Sequence, residues 1–248
     1  MSTGYRAALF DLFGTLIVFD TTTLPEIVVD GRRMRSTSDA WAGLVDETLP
    51  GVGVEIFARA VMAVSVELDR ARRATAIEFP SRERFRRALV AVGCDGEAAE
   101  ELAPRFARAH MGRIARATRF PAEHATLLAR VSARGPVGVV TNFDDTTTAF
   151  DILARHGILA RVGSVVVSEA VGLRKPSGAL VRIALDDLGV APREAVMIGD
   201  DAREDVGAAT AAGVDAVWLD THGTGVAPGN PVPRYVVRRL PEVLPILG

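Results

Sequence analysis

The sequence predicts an α/β protein whose parallel sheet is interrupted by an inserted, mainly helical subdomain. Three observations carry that prediction. From about residue 119 to the end, short apolar runs alternate with amphipathic stretches, the pattern of parallel strands covered by helices on both faces. A run of the same kind, Ala7-Ala8-Leu9-Phe10, stands far upstream and ends on Asp11. Between them, residues 19–118 change to helical periodicity, with two short extended runs around Asp30-Gly31. The expected organisation is therefore a core of 1–18 and 119–248, and an inserted subdomain of 19–118 with a small hairpin near 26–35.

Composition narrows the function. With 248 residues, 48% of them hydrophobic, and a net charge of -2, the chain has the balance of an ordinary globular protein. It lacks the strongly basic character of a nucleic-acid binder. No uninterrupted apolar run is long enough to span a membrane, so no membrane partner is expected. Cys94 is the single cysteine and can form no internal disulfide, which fits a reducing compartment. No basic-then-apolar leader is seen, and the cytoplasm is the expected location. Lys175 is the only lysine among 29 basic residues. A lysine that survives so strong an arginine bias marks a place where a compact ammonium serves and a planar guanidinium would not. Chance survival is the plain alternative.

In order along the chain, Ala7–Phe10 reads as the first strand. The Asp-Gly pair within 26–35 signals a tight hairpin. Thr37 or Ser38 is placed to cap a helix that turns Trp41, Leu44 and Val45 inward. A longer helix is expected from Val54 to Ala74, with Ile56, Ala60, Met62, Val66 and Leu68 among its apolar positions. Ser81 is read as the cap of a helix carrying Phe85, Leu89 and Val92 on one face and ending at Gly93. Another helix spans Glu97 to about Ala117. The core then resumes with a helix at Ala122–Arg134, a strand at Val137–Thr141 and a helix at Thr146–Arg155. A strand at Val162–Val167, a helix at Ser177–Leu188 and a strand at Ala195–Ile198 follow. The chain closes with a helix at Glu204–Ala212, a strand at Ala216–Leu219, a Gly/Pro-rich loop, a short strand Tyr235-Val236-Val237 and a terminal helical turn.

Polar groups gather at the predicted strand ends: Asp11, Thr141, the Lys175 loop, and Asp200 with Asp201 and Asp205. Parallel strands bring such ends to one edge of the sheet, where α/β proteins bind ligands. On its own, Asp11 could be a nucleophile, a metal ligand or the cap of the Gly-Thr turn after it. Each of the others also has a local explanation: Thr141 as a strand-end hydrogen bonder, Asp200 and Asp201 as turn formers, Asp205 as a helix-start charge. Four coincidences of this kind are less economical than one convergent site. Carboxylates with few histidines nearby suit a hard cation such as Mg²⁺. A hydroxyl, turn amides and a lysine suit a phosphoryl group or another anion.

Four motifs in order and spacing then identify a resemblance: Asp11-Leu12-Phe13-Gly14-Thr15, Val139-Val140-Thr141-Asn142, Arg174-Lys175-Pro176 and Gly199-Asp200-Asp201-Ala202-Arg203-Glu204-Asp205. Over essentially its whole length the chain resembles the haloacid dehalogenase (HAD) superfamily, in its phosphatase-like branch. Ser168–Gly172 and Asn142–Asp145 are also typical of phosphatase-like members. The resemblance implies a Rossmann-like core with a helical cap inserted after the first motif; the hairpin is less usual for such a cap. It implies Asp11 as a nucleophile that forms an aspartyl-phosphate. Mg²⁺ would be held by Asp11, the Phe13 carbonyl and Asp200, with Asp205 ranked above Asp201 for completing the shell. Phe13, Gly14, Thr15, Thr141, Asn142 and Lys175 would line the substrate, with Thr141 and the Asn142 amide on phosphate oxygens and Lys175 neutralising charge. The expected substrate is a small phosphorylated or otherwise anionic molecule.

The departure is Phe13. Phosphatases of the family carry a second aspartate there, which protonates the leaving oxygen and later activates water, a role worth about 10²–10⁴-fold in rate. Three functions are therefore in view. One is a Mg²⁺-dependent phosphatase suited to good leaving groups. Another is a metal-independent dehalogenase, against which the acidic fourth motif argues. The third is a member that binds without turnover. Arg32, Arg33 and Arg35 on the hairpin are expected to be a solvated face, and Asp144 and Asp145 to start a helix. His110 and His124 are expected on helix surfaces, and His222 carries no assignment.

Overall fold

The computed structural model describes residues 4–248. The chain divides into two compact units, 1–18 with 119–248, and 19–118. It runs from β1 (Ala7–Phe10) through β2 (Val18–Phe19) into the second unit, made of β3 (Glu26–Val29), β4 (Arg32–Arg35), α1 (Ala42–Thr48), α2 (Val54–Thr75), α3 (Ser81–Ala91) and α4 (Gly96–Arg116). It returns through β5 (Thr118–Arg119), α5 (Ala122–Ser132), β6 (Val137–Thr141), α6 (Thr146–Arg155), β7 (Ser164–Val167) and α7 (Ser168–Val171). The last elements are α8 (Ala179–Leu188), β8 (Ala195–Gly199), α9 (Asp205–Ala212), β9 (Asp215–Leu219), β10 (Tyr235–Val237) and α10 (Leu244–Leu247).

In the first unit, six strands form one sheet in the order β10-β9-β8-β1-β6-β7, and every pairing is parallel. Central strands buried on both faces read as continuous apolar runs rather than alternations; β1, β6 and β8 are buried at every position. Leu9, Val140, Met197 and Trp218 belong to the cluster that packs beneath α8 and α9. Phe10, Val139 and Ile198 are equally buried on the alternate positions. Each fully buried side chain of this size contributes roughly 1.5–3 kcal/mol, so β1 is anchored on both sides of the sheet. The chain goes from β1 toward β6 and β7, then returns to place β8 on the other flank of β1. That reversal is the topological switch point, where the loops at the carboxyl ends of β1 and β8 part and leave a crevice. Beyond β9, the buried Asp220 carboxylate accepts backbone N–H bonds from Gly223, Thr224 and Gly225, which fixes the start of the Gly/Pro-rich loop.

In the second unit, β3 and β4 form an antiparallel hairpin. Asp30 and Gly31 both have positive φ, 51° and 74°, the turn geometry that an Asp-Gly pair favours because its twist matches the strands. Helix α3 packs on α2 and α4 around Trp41, Phe57, Phe85 and Phe106, all buried. Three sequence expectations are corrected here. On α2 the buried stripe is Phe57, Val64, Leu68 and Arg72, while Ile56, Met62 and Val66 are exposed. Ser81 is the first residue of α3, preceded by Pro80 at the cap position, so it does not cap the helix. Thr37 makes no cap bond either; its hydroxyl lies 2.6 Å from His110 Nδ1. Among the described residues, no helix is long and apolar enough to cross a membrane.

Candidate active site

Asp11 follows β1 at the switch point, with its N–H bonded to the Ile198 carbonyl of β8 at 2.9 Å. Lys175 reaches it from the loop before α8. The Lys175 ammonium donates to Asp11 Oδ1 at 2.6 Å, Asp205 Oδ1 at 2.6 Å and the Val140 carbonyl at 2.8 Å. Three protons meet three acceptors, and the side chain is 2% exposed. An ammonium satisfies such a tight convergent set, whereas a planar guanidinium with its fixed fork would need more width. The chain's single lysine thus has a specific place. Burial alone would lower the Lys175 pKa, but the Asp11 and Asp205 carboxylates raise it overall above the ordinary lysine range.

Asp200 follows β8 and keeps a solvent-open edge. Its Oδ1 accepts from the Thr15 hydroxyl at 3.2 Å, and its carbonyl accepts from Trp218 Nε1 at 2.9 Å. Gly14, at φ 86°, passes so close to the Asp200 carboxylate that a Cβ would collide with it. Gly199 bears the same relation to the Asp205 carboxylate. Both glycines are needed for the close approach of backbone to carboxylate.

The ligand oxygens of Asp11, Asp200 and Asp205 lie within 4.8 Å of one another. Removal from water and mutual repulsion push all three carboxyls upward. Burial acts first at Asp11, with Lys175 opposing it. Asp200 rises to about 6, through loss of solvation and then the Asp205 charge. Asp205 rises by burial against the pull of Lys175. A cluster of hard oxygen donors short of positive charge fits a divalent cation. The two Asp205 oxygens are already engaged, by Lys175 and by the Asp201 N–H at 2.9 Å. Asp201 itself accepts from the N–H groups of Arg203 and Glu204, a turn-forming role. Asp11 and Asp200 are therefore the carboxylates of the cluster least engaged by backbone N–H groups and best able to hold an ion.

Thr141 is buried at the end of β6, and Asn142 follows it. The Asn142 side chain clamps the lysine loop: Oδ1 accepts the Lys175 N–H at 2.8 Å and Nδ2 donates to the Lys175 carbonyl at 3.1 Å. Nδ2 also donates to Glu204 Oε2 at 2.8 Å, whose other oxygen lies 3.5 Å from Arg174 Nη2. Phe13 turns its ring onto Phe143, with centroids 4.8 Å apart and planes at 22°. Phe143 is held in turn through its N–H, bonded to Ser168 Oγ at 2.9 Å.

Asp11, Thr15, Lys175, Asp200 and Asp205 are thus brought together, with Gly14 against Asp200 and Asn142 behind Lys175. Glu204 and Phe143 lie inside motifs quoted from the sequence, but their contacts with Asn142 and Phe13 arise only through the fold and no spacing signals them. Asp145 accepts the Thr148 N–H and caps α6, as expected. His124 bonds the Leu16 carbonyl, and His222 is exposed.

Fold and site together define a Rossmann-like α/β protein with a carboxylate cluster and a buried ammonium at its switch point. The sequence model of the haloacid dehalogenase-like hydrolases matches residues 5–213, and the chain belongs to that family of hydrolases. Among curated relatives it is 37% identical over 155 residues to the phosphoserine phosphatase of Thermus thermophilus, covering 61% of this chain and 58% of that one. It is 33% identical over 133 residues to the phosphoglycolate phosphatase of Yersinia pseudotuberculosis, covering 52% and 55%. The chain therefore spans somewhat over half the length of these relatives. Its fold is similar to that of a 2-haloacid dehalogenase from Pseudomonas syringae, with a TM-score of 0.71, 20% identity and 98% of each chain covered.

Proposed function

We propose that this hydrolase is a Mg²⁺-dependent phosphatase of small phosphorylated metabolites with good leaving groups. The observation that carries the reading is the Asp11 carboxylate, held by Lys175 inside a three-carboxylate cluster. One Asp11 oxygen attacks phosphorus, the bond from phosphorus to the leaving oxygen breaks, and the electron pair departs on that oxygen. Water then hydrolyses the aspartyl-phosphate, which releases inorganic phosphate and restores Asp11. Lys175 favours the ionised form of Asp11 and offsets charge on the phosphoryl group. The Thr141 hydroxyl and the Asn142 N–H are the donors assigned to phosphoryl oxygens, since the Asn142 side chain is spent on Lys175 and Glu204. Mg²⁺, held by Asp11, Asp200 and the Phe13 carbonyl, would supply a positive charge to the phosphoryl oxygens. The mainly helical unit of 19–118 is assigned as the inserted cap subdomain of the family.

The Phe13 ring cannot hand a proton to the leaving oxygen, and its stacking on Phe143 keeps that position apolar. Acyl and aryl phosphates, whose leaving oxygens need no proton, should turn over with Mg²⁺, and alkyl phosphates slowly. Phe13→Asp should raise alkyl ester turnover by about 10²-fold or more. Equal native rates on aryl and alkyl esters would contradict this account of Phe13. The same apolar position favours one second reading, a dehalogenase in which Asp11 displaces halide from carbon and no acid is needed. Metal-independent chloride release from 2-chloroacids, with no phosphate release, would select it.

A further inference from the structure

Glu204 carries no role in the proposed chemistry, yet it meets the site from the residue just before α9. Its own backbone is held on both sides. The N–H donates to Asp201 Oδ1 at 2.9 Å, and the carbonyl accepts the Ala208 N–H at 2.9 Å. From that fixed point Glu204 Oε2 accepts from Asn142 Nδ2 at 2.8 Å. The other oxygen, 3.5 Å from Arg174 Nη2, belongs to a partly exposed ion pair, and such pairs contribute little by themselves. The bond to Asn142 is the specific one.

An asparagine side chain has one accepting and one donating end, and its partners decide which way round it sits. Three partners decide it here. The Lys175 N–H donates to Oδ1 at 2.8 Å, while the Lys175 carbonyl and Glu204 accept from Nδ2 at 3.1 and 2.8 Å. A carboxylate only accepts, and a charged acceptor makes the stronger bond. Asp205, the next residue, accepts from the Lys175 ammonium at 2.6 Å. Two consecutive acidic side chains thus grip Lys175 at opposite ends. Asp205 takes the ammonium directly, and Glu204 takes the backbone through Asn142.

We propose that Glu204 is a positioning residue, which fixes the Asn142 amide and thereby holds Lys175 against Asp11. Its effect on phosphoryl transfer rests on the phosphatase reading, whereas the hold on Lys175 is observable without turnover. The composition makes that observation unambiguous. Lys175 is the chain's one lysine, and Asn142 and Asn230 carry its only side-chain amides.

Nitrogen-15 NMR of the full chain tests it, with Asn230→Ser assigning the two amide pairs. The Asn142 side-chain protons should exchange with deuterium at least about tenfold more slowly than those of Asn230, in the Gly/Pro-rich loop. Glu204→Leu, which keeps bulk but removes the acceptor, should speed Asn142 exchange about tenfold and shift the Lys175 ammonium signal. Glu204→Gln keeps an accepting oxygen and should recover most of both. With an acyl phosphate and Mg²⁺, Glu204→Leu should lower kcat about tenfold while KM changes less than about threefold, the pattern of a displaced transition-state stabiliser. Circular dichroism identifies any variant that does not fold, and the exchange comparison on the native chain stands without the variants. A native chain inactive on phosphate esters whose signals still move in Glu204→Leu would support the hold on Lys175 and count against the phosphatase reading alone. Native Asn142 protons exchanging as fast as those of Asn230, unmoved signals in folded Glu204→Leu, Glu204→Gln as disturbed as Glu204→Leu, or an undiminished kcat beside moved signals would overturn the inference.

Discussion

Lys175 places all three ammonium protons within the protein, on two carboxylates and one carbonyl. Its role is positional as much as electrostatic. Asn142 holds the Lys175 N–H and carbonyl, and Glu204, itself paired with Arg174, accepts from Asn142. Lys175→Arg keeps the charge but spreads it over a plane. Phosphatase kcat should then fall about 10²-fold or more, the usual loss when a preorganised charge stabiliser is displaced. Undiminished turnover in that variant would show that charge alone suffices. At this scale the placement of Asp11 and Asp200 beside each other was legible because both follow strand ends, and that of Lys175, in the loop before α8, because it is the only lysine. The contacts of Glu204 and Phe143 were not. Their partners lie 62 residues away at Asn142 and 130 at Phe13 in sequence, and side-chain direction decides the contact.

Among the elements, the strands were the most readable. Val137–Thr141, buried throughout by sheet neighbours, and the edge strand Tyr235–Val237 both keep their sequence limits. The inward face of α2 was less so. Its residues are apolar on more than one side, so composition leaves the phase open, and the aromatic partners Trp41, Phe85 and Phe106 select Phe57 as the inward position. The end of α2 carries an avoidable cost. Ala76 closes the helix in the left-handed region at φ 55°, where a Cβ costs roughly 1–2 kcal/mol and glycine does not. Ala76→Gly should therefore raise stability to urea by about 1 kcal/mol after the loss of chain entropy is counted. A lower denaturation midpoint would contradict that balance.

On the scale of the molecule, the sheet brings like charges together and leaves them undercompensated. Asp200 titrates near 6, and Asp11 and Asp205 are also raised. Raised carboxyls contribute stability that is complete below their unfolded value of 3.8 and is lost as pH rises through the folded values near 6 and 7. The raised Lys175 keeps its charge throughout that window. With chelator present, Tm should fall between about pH 4 and pH 7 from this cluster. An excess of Mg²⁺ should raise Tm more at about pH 7.5 than at about pH 5, because the cation binds the ionised carboxylates. An equal gain at both values would argue against a cation among these three groups.

The most direct measurement of the central claim is the mass of the Asp11 peptide after acid quench during turnover of an acyl phosphate with Mg²⁺. The account predicts the added mass of one phosphoryl group on that peptide in the native protein, none in Asp11→Asn, and its loss on treatment with hydroxylamine, which cleaves acyl phosphates. Steady turnover with the Asp11 peptide unmodified at every quench time, and Asp11→Asn as active as the native chain, would contradict it.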